Sequence, residues 1–286
     1  MRLGAHISAA GGLFNAFPRA AEVGCDSMLI ITKSNRQWAA KALTADDIGR
    51  FRQASIEHSA IFPVAVHASY LINIGSSDPA LWEKSYQALK DEAERAEALG
   101  IPLLTFHPGA HMEMGEQAGL DNLAQALRRL AMETAGFGVT VCLETMAGQG
   151  TTLGYRFEQL AYLLAATGRD KRFGVCFDTC HVFAAGYDIR TPESYAATMS
   201  QFEQIVGLGW IKYFHFNDSQ HPLGSRKDRH EHIGRGHIGL AGFANFLNDP
   251  RWAEHAAHLE TEKDENGEEM DKVNLATLRG LIQRTS

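Results

Sequence analysis

Eight short apolar runs recur along this chain, and their rhythm limits the folds open to it more than any single residue does. They are Leu3 to His6, Met28 to Thr32, Val64 to His67, Leu103 to His107, Val139 to Glu144, Gly174 to Asp178, Ile211 to His215 and His258 to Glu260. Their ends lie about 25 to 45 residues apart, the room that one strand, one helix and two loops need in a repeating parallel unit. The 286 residues lie near the ~250 typical of a (β/α)8 barrel, and 45% hydrophobic content can fill its core. The expected fold is α/β, a single TIM (β/α)8 barrel domain over residues 1–286.

The segments between the runs carry helix punctuation. Asp78-Pro79 opens a pattern of Trp82, Tyr86, Leu89, Ala93 and Ala96 that stops at Gly100, and Thr191-Pro192-Glu193 opens another. Thr44 and Asp47 have capping-box spacing ahead of Ile48 and Phe51, while Leu120, Leu123, Leu127 and Leu130 form a core-facing stripe. One long polar interval, Asn217 to Gly239, breaks the rhythm. Such a stretch is either disordered or a functional loop, and Arg226, Lys227, Asp228, Arg229, His230 and Arg235 within it favour function.

Ligand-type residues gather where the runs end. His67, His107, Glu144, Asp178, His215 and Glu260 close six of them, with His181, Asp228 and His230 nearby. A lone strand-end histidine is more often a satisfied polar residue than a ligand, but nine such residues on one rim reverse that expectation. Parallel barrels place their active sites at this end of the strands. Imidazole and carboxylate without thiolate suit hydrolytic zinc, manganese or iron, and the set exceeds the three or four ligands one catalytic zinc takes.

Asp228 and His230, two residues apart, point the same way in an extended loop and can grip one ion. His181, three residues past Asp178, is placed to reach a different ion from the one Asp178 holds. His6 and His111 are candidates to support ligands from behind. His58, His221, His232, His237 and His255 read as surface residues. Cys142 and Cys176 each stand two residues before an acid of the set, so they face the same way one layer deeper and read as barrel filling. With Cys25 and Cys180 they form no CxxC pair.

A formal net charge of -7 argues against coating nucleic acid through bulk positive charge. It leaves a local DNA site open, because four of the counted carboxylates belong to the ligand set and bound dications would reverse their field. The opening MRLGAHISAAGG lacks the apolar run of a signal peptide, and no stretch approaches the ~20 apolar residues of a membrane span. A cytoplasmic, monomeric protein without a membrane partner is expected.

Taken in order, HASYLINIG, TFHPGAH, LETMAGQG, GVCFDTCHVFAAGYD and FHFNDSQHPLGSRKDRHEHIGRGHIG resemble the endonuclease IV family of zinc-dependent apurinic/apyrimidinic endonucleases. The resemblance runs from GAHISAAGG to Glu260. It implies a TIM barrel with three zinc ions that cuts duplex DNA on the 5′ side of an abasic site, leaving a 3′-hydroxyl and a 5′-deoxyribose phosphate. Cleaning of blocked 3′ ends is implied as well. By motif, His67, His107 and Glu144 would hold the first zinc, Glu144, Asp178, His215 and Glu260 the second, and His181, Asp228 and His230 the third. Glu144 would bridge the first two ions and Glu260 would orient the activated water. Arg36 and Tyr70 match residues that enter the duplex beside the lesion.

Two departures accompany the resemblance. Gln220 stands where the family usually has Lys, which removes a positive charge, and TKSNRQW replaces a segment in which Asn and Gln often precede the Arg. Both bear on DNA affinity and its salt dependence. The enzymatic alternative is a sugar isomerase or epimerase on a xylose-isomerase-like barrel, for which Glu144, Asp178, His215 and Glu260 would suffice. A lesion-binding protein without activity is the other, and it has no use for so complete a ligand set.

Overall fold

The computed structural model describes residues 1–34, 37–38, 41–266 and 268–283. Among them, eight parallel strands close into a barrel. The first seven are β1 Arg2–His6, β2 Ser27–Ile30, β3 Val64–His67, β4 Leu103–Phe106, β5 Thr140–Glu144, β6 Phe173–Asp178 and β7 Ile211–His215. A two-stranded hairpin, β8 Asp218–Ser219 and β9 His230–Glu231, follows before the last barrel strand, β10 Ala256–Leu259. β10 pairs with β7 on one side and β1 on the other, which closes the ring.

The helices are α1 Ala16–Val23, α2 Ala45–Glu57, α3 Pro79–Leu99, α4 Glu116–Glu133, α5 Phe157–Ala166, α6 Thr179–Ala185, α7 Pro192–Ile205, α8 Gly239–Leu247 and α9 Met270–Gly280. Their ends follow the punctuation. Asp78 accepts from the backbone N–H groups of Ala80 and Leu81 with Pro79 at the first helical position, and Gly100 ends α3 at φ 77°. Thr44 and Asp47 form the reciprocal capping box of α2, and Thr191 caps α7. Among the described residues no helix is long and apolar enough to cross a membrane.

Most strand boundaries fall within one residue of expectation, and two differ by two residues. β2 ends at Ile30 because Thr32 leaves the ladder for a buried polar cluster: its hydroxyl donates to Glu92 Oε2 at 2.9 Å and accepts from Arg95 Nε at 3.2 Å. β10 starts two residues early, since Ala256 and Ala257 pair with Arg2 and Leu3 while adding little apolar signal of their own.

The core has two shells. Outside the barrel wall, Phe177 of β6 and Phe214 of β7 pack against each other and against Phe246 of α8, two of the three pairs edge to face and the Phe177–Phe246 pair tilted. Inside it, Leu29, Ala65, Cys142, Cys176, Tyr213 and Ala256 fill the bore. Cys142 and Cys176 therefore occupy interior positions below the rim, and the Tyr213 hydroxyl crosses to Thr105. His258, unexpected from the sequence, is also buried here: Ser27 Oγ donates to the Pro63 carbonyl at 2.7 Å and accepts from His258 Nε2 at 2.6 Å. Burial lowers its pKa to about 3, so the bore holds a neutral imidazole.

Cys142→Ala takes a sulfur from the bore and no ligand from the rim. Denaturant unfolding should show a loss of about 1–2 kcal/mol, with metal content by elemental analysis unchanged. Loss of metal would make Cys142 a ligand.

Candidate metal centre at the barrel rim

The C-terminal ends of β3, β5, β6 and β7 are His67, Glu144, Asp178 and His215, while His107 and Glu260 stand one residue beyond β4 and β10. The barrel thus turns six positions distant in sequence into one ring. The other three residues enter from loops. His181 lies in the first turn of α6, and Asp228 and His230 belong to the excursion between β7 and α8.

Glu144 is the hub. Its Oε2 lies 3.1 Å from His67 Nε2 and 3.2 Å from His107 Nε2, and its Oε1 lies 2.9 Å from His215 Nδ1. His215 Nδ1 is also 3.0 Å from Glu260 Oε2. On the far side, Asp228 Oδ1 lies 3.2 Å from His181 Nε2 and 3.4 Å from His230 Nε2. Three groups have ligand atoms all within 4.8 Å of one another: His67, His107 and Glu144; Glu144, Asp178, His215 and Glu260; and Asp178, His181 and His230. Asp178 therefore stands in two groups, beside His181 rather than apart from it.

These side chains fit metal ions. Atoms bound ~2.1 Å from a tetrahedral zinc sit about 3.4 Å apart, close to the spacings found. Nε2 of His181 and His230 and Oε1 of Glu260 are buried without a hydrogen bond, and these three residues belong to the groups. Buried polar atoms are seldom left so.

The charges oppose one another closely. Burial alone would raise the Glu144 carboxyl, yet His215 and His107 hold it well below the usual range. Glu260 and Asp228 are held low against burial in the same way, chiefly by His215 and His181. Asp178 is raised, because burial outweighs His181 and His230. Burial resists protonation of His67 and His181, but Glu144 raises the first and Asp178 with Asp228 the second. For His215 the Cys176 sulfur, Glu260 and Glu144 together outweigh burial. A cation entering this set displaces protons as it binds.

The polar interval Asn217 to Gly239 is an ordered structure built on one buried carboxylate. Asp218 Oδ1 accepts from the backbone N–H of Ser219 at 2.8 Å and of Ile238 at 2.9 Å. Its Oδ2 accepts from Gly234 at 2.9 Å, Gly236 at 3.1 Å and Gly239 at 3.2 Å. A Cβ at Gly236 would lie 2.5 Å from Asp218 Oδ1, which explains that glycine. The hub folds the chain back so that β9 pairs antiparallel with β8 and presents His230 to the rim. Gln220 braces the same hairpin, donating from Nε2 to the His230 carbonyl at 2.8 Å. Gln149, from the loop after β5, accepts from the Asp228 backbone N–H at 3.1 Å.

Tyr70 is 48% exposed at the mouth of the site, its ring 4.8 Å from that of His67 and 5.2 Å from that of His107. Arg36, the other expected DNA contact, lies outside the described residues. His111 packs against Gly119 of α4 rather than on a ligand. His6 sits half-buried at the end of β1, and burial lowers its pKa to about 4 against the pull of Glu260. Of the five histidines expected at the surface, only His237 is exposed: His232 is buried, its Nδ1 accepting from Asn274 Nδ2 at 3.0 Å, while His58, His221 and His255 are half-buried, the last against Trp252.

A closed parallel barrel with a histidine and carboxylate rim defines a class, and residues 17–281 match the family described as xylose isomerase-like TIM barrel. Within that class the sequence is 50% identical over 282 residues to a probable endonuclease 4 of Chloroflexus aurantiacus, covering 99% of this chain and 98% of that one. The counterpart from Geobacter sulfurreducens is 43% identical, covering 99% and 95%. The crystal structure of endonuclease IV from Thermus thermophilus superposes with a TM-score of 0.85 at 34% identity, over 98% of each chain. The chain belongs to the endonuclease IV family. A D-tagatose 3-epimerase-like protein shares the fold, with a TM-score of 0.73 at 20% identity.

Asp218→Ala would strand five backbone donors, each costing about 1–3 kcal/mol if buried and unpaired. Denaturant unfolding should show a loss above about 3 kcal/mol, with weaker metal retention as His230 and Asp228 loosen. A loss below about 1 kcal/mol would remove Asp218 as the hub of this loop.

Proposed function

We propose that this chain is a DNA-repair endonuclease that hydrolyses the phosphodiester on the 5′ side of abasic sites in duplex DNA. The products are a 3′-hydroxyl and a 5′-deoxyribose phosphate, and blocked 3′ ends are cleaned by the same centre. Glu144 carries the reading: one oxygen meets His67 and His107, the other meets His215, so a single buried carboxylate joins two ligand sets. The relatives' names, endonuclease 4 and endonuclease IV, support the same class of reaction.

In this reading His67, His107 and Glu144 hold one zinc, Glu144, Asp178, His215 and Glu260 a second, and His181, Asp228 and His230 a third. Bound there, the ions supply an activated water, offset the charge that builds on phosphorus and assist the departing oxygen. The protein's part is to hold those groups in line. Glu260 Oε1, buried and free of any hydrogen bond, accepts from the attacking water and orients it. Tyr70 packs at a tilt against His67 and His107 and is half exposed, which leaves its ring available to stack in the gap of a missing base, with Arg36 assigned beside it by motif. Selection then follows from cost, since an unpaired sugar is extruded cheaply while a normal nucleotide must lose pairing and stacking.

A sugar isomerase or epimerase is the second reading, favoured by the self-contained group of Glu144, Asp178, His215 and Glu260. It leaves His67, His107, His181, Asp228 and His230 without a task. Elemental analysis separates the two, with about three zinc ions per chain favouring phosphodiester chemistry and one or two favouring sugars.

Incision of a duplex carrying one abasic-site analogue should occur on its 5′ side, stop on chelation and return with zinc. Equal cutting of undamaged duplex would defeat the account of selection. Glu260→Gln should keep the far-ultraviolet circular dichroism of the parent and lose at least about 100-fold in kcat. Unchanged turnover would take Glu260 out of the chemistry.

A further inference from the structure

Asn217 has no place in the ligand sets, yet it is fully buried at their centre, two residues beyond His215. Its Nδ2 donates to Asp178 Oδ2 at 2.7 Å, and its Oδ1 accepts from the Glu260 backbone N–H at 2.8 Å. Its own backbone is pinned as well: the N–H donates to Thr179 Oγ1 at 2.9 Å, and the carbonyl accepts from that hydroxyl at 2.7 Å. One side chain thus spans the residues that end β6 and follow β10, from a mount fixed to the start of α6.

The partners dictate the amide's orientation. A backbone N–H can only donate, so the amide oxygen must face Glu260 and the NH2 must face Asp178. Asp178 Oδ1 is already engaged by the His181 backbone N–H at 2.7 Å. With both oxygens held, the carboxylate cannot rotate. Its Oδ2 lies 3.9 Å from His230 Nε2 and 4.0 Å from His215 Nδ1, at the junction of the second and third ligand sets.

We propose that Asn217 is a positioning residue: it locks the Asp178 carboxylate and the Glu260 backbone into one frame and so sets the spacing between two metal subsites. The inference rests on reading the rim as the metal centre of a nuclease. A purely structural role, filling volume and accepting from the Glu260 N–H, would be served equally by an aspartate of the same shape.

Asn217→Asp therefore isolates the contact, keeping the size and the acceptor for Glu260 but setting a second acceptor against Asp178. Zinc affinity is measured by competition with a chromophoric chelator, and kcat and KM on an abasic duplex. The weakest-held zinc should lose about 10–100-fold in affinity and kcat should fall similarly, with KM for DNA within about twofold. Asn217→Ala should behave alike; if it does not fold, Asn217→Asp decides. Zinc affinity and kcat both within about twofold of the parent in Asn217→Asp overturn the proposal. The chelator competition needs no DNA, so a parent protein that binds zinc but cuts no abasic duplex sinks the nuclease reading separately.

Discussion

A carboxylate with no solvent exposure is the constraint around which the rim is organised. Glu144 ends a barrel strand in the interior of the protein, where an isolated charge would cost several kcal/mol or more. Three imidazoles within 3.2 Å make it tolerable. Those imidazoles come from β3, β7 and the residue after β4, so the charge balance exists only once the barrel has closed. The same balance suits exchange of protons for cations, because the imidazole and carboxylate atoms that share protons are the atoms a metal requires.

The rim divides into a part given by the barrel and a part added to it. Residues at or just past strand ends supply a group of four, Glu144, Asp178, His215 and Glu260, whose ligand atoms lie within 4.8 Å of one another. The excursion between β7 and β10 supplies Asp228 and His230, and it stands on Asp218, a carboxylate wrapped by five backbone N–H groups. A loop carrying ligands must be as rigid as a strand to hold them at fixed spacing. Asp218 provides that rigidity without a hydrophobic core of its own. Gln220 spends its amide on the His230 carbonyl and so braces the hairpin that carries a ligand.

Much of the architecture was legible in the chain. Strand positions followed from apolar runs, and helix ends from Asp78-Pro79, Gly100, the Thr44 capping box and Thr191. The runs failed where side chains carried little signal: Ala256 and Ala257 form half of β10, and Thr32 is drawn out of β2 by Glu92 and Arg95 of a distant helix. His232 reads as a solvated loop residue until Asn274 of α9 is seen beside it. His258 and Asn217 stand unmarked in the chain because a lone polar residue within or just past a strand carries no local sign of burial.

Periodicity, capping residues and ligand chemistry were sufficient to determine the barrel, its order of elements and the nine residues drawn to one rim, because each is a local property of residue type and spacing. Tertiary structure alone decided how those nine are divided. Asp178 joins the second and third groups, Glu144 joins the first and second through separate oxygens, and Asn217 and Asp218, adjacent in sequence, act in different places. The physical reason is that hydrogen-bond direction and charge pairing depend on angstrom-scale placement of groups 39 to 77 residues apart in the chain, which no local pattern encodes.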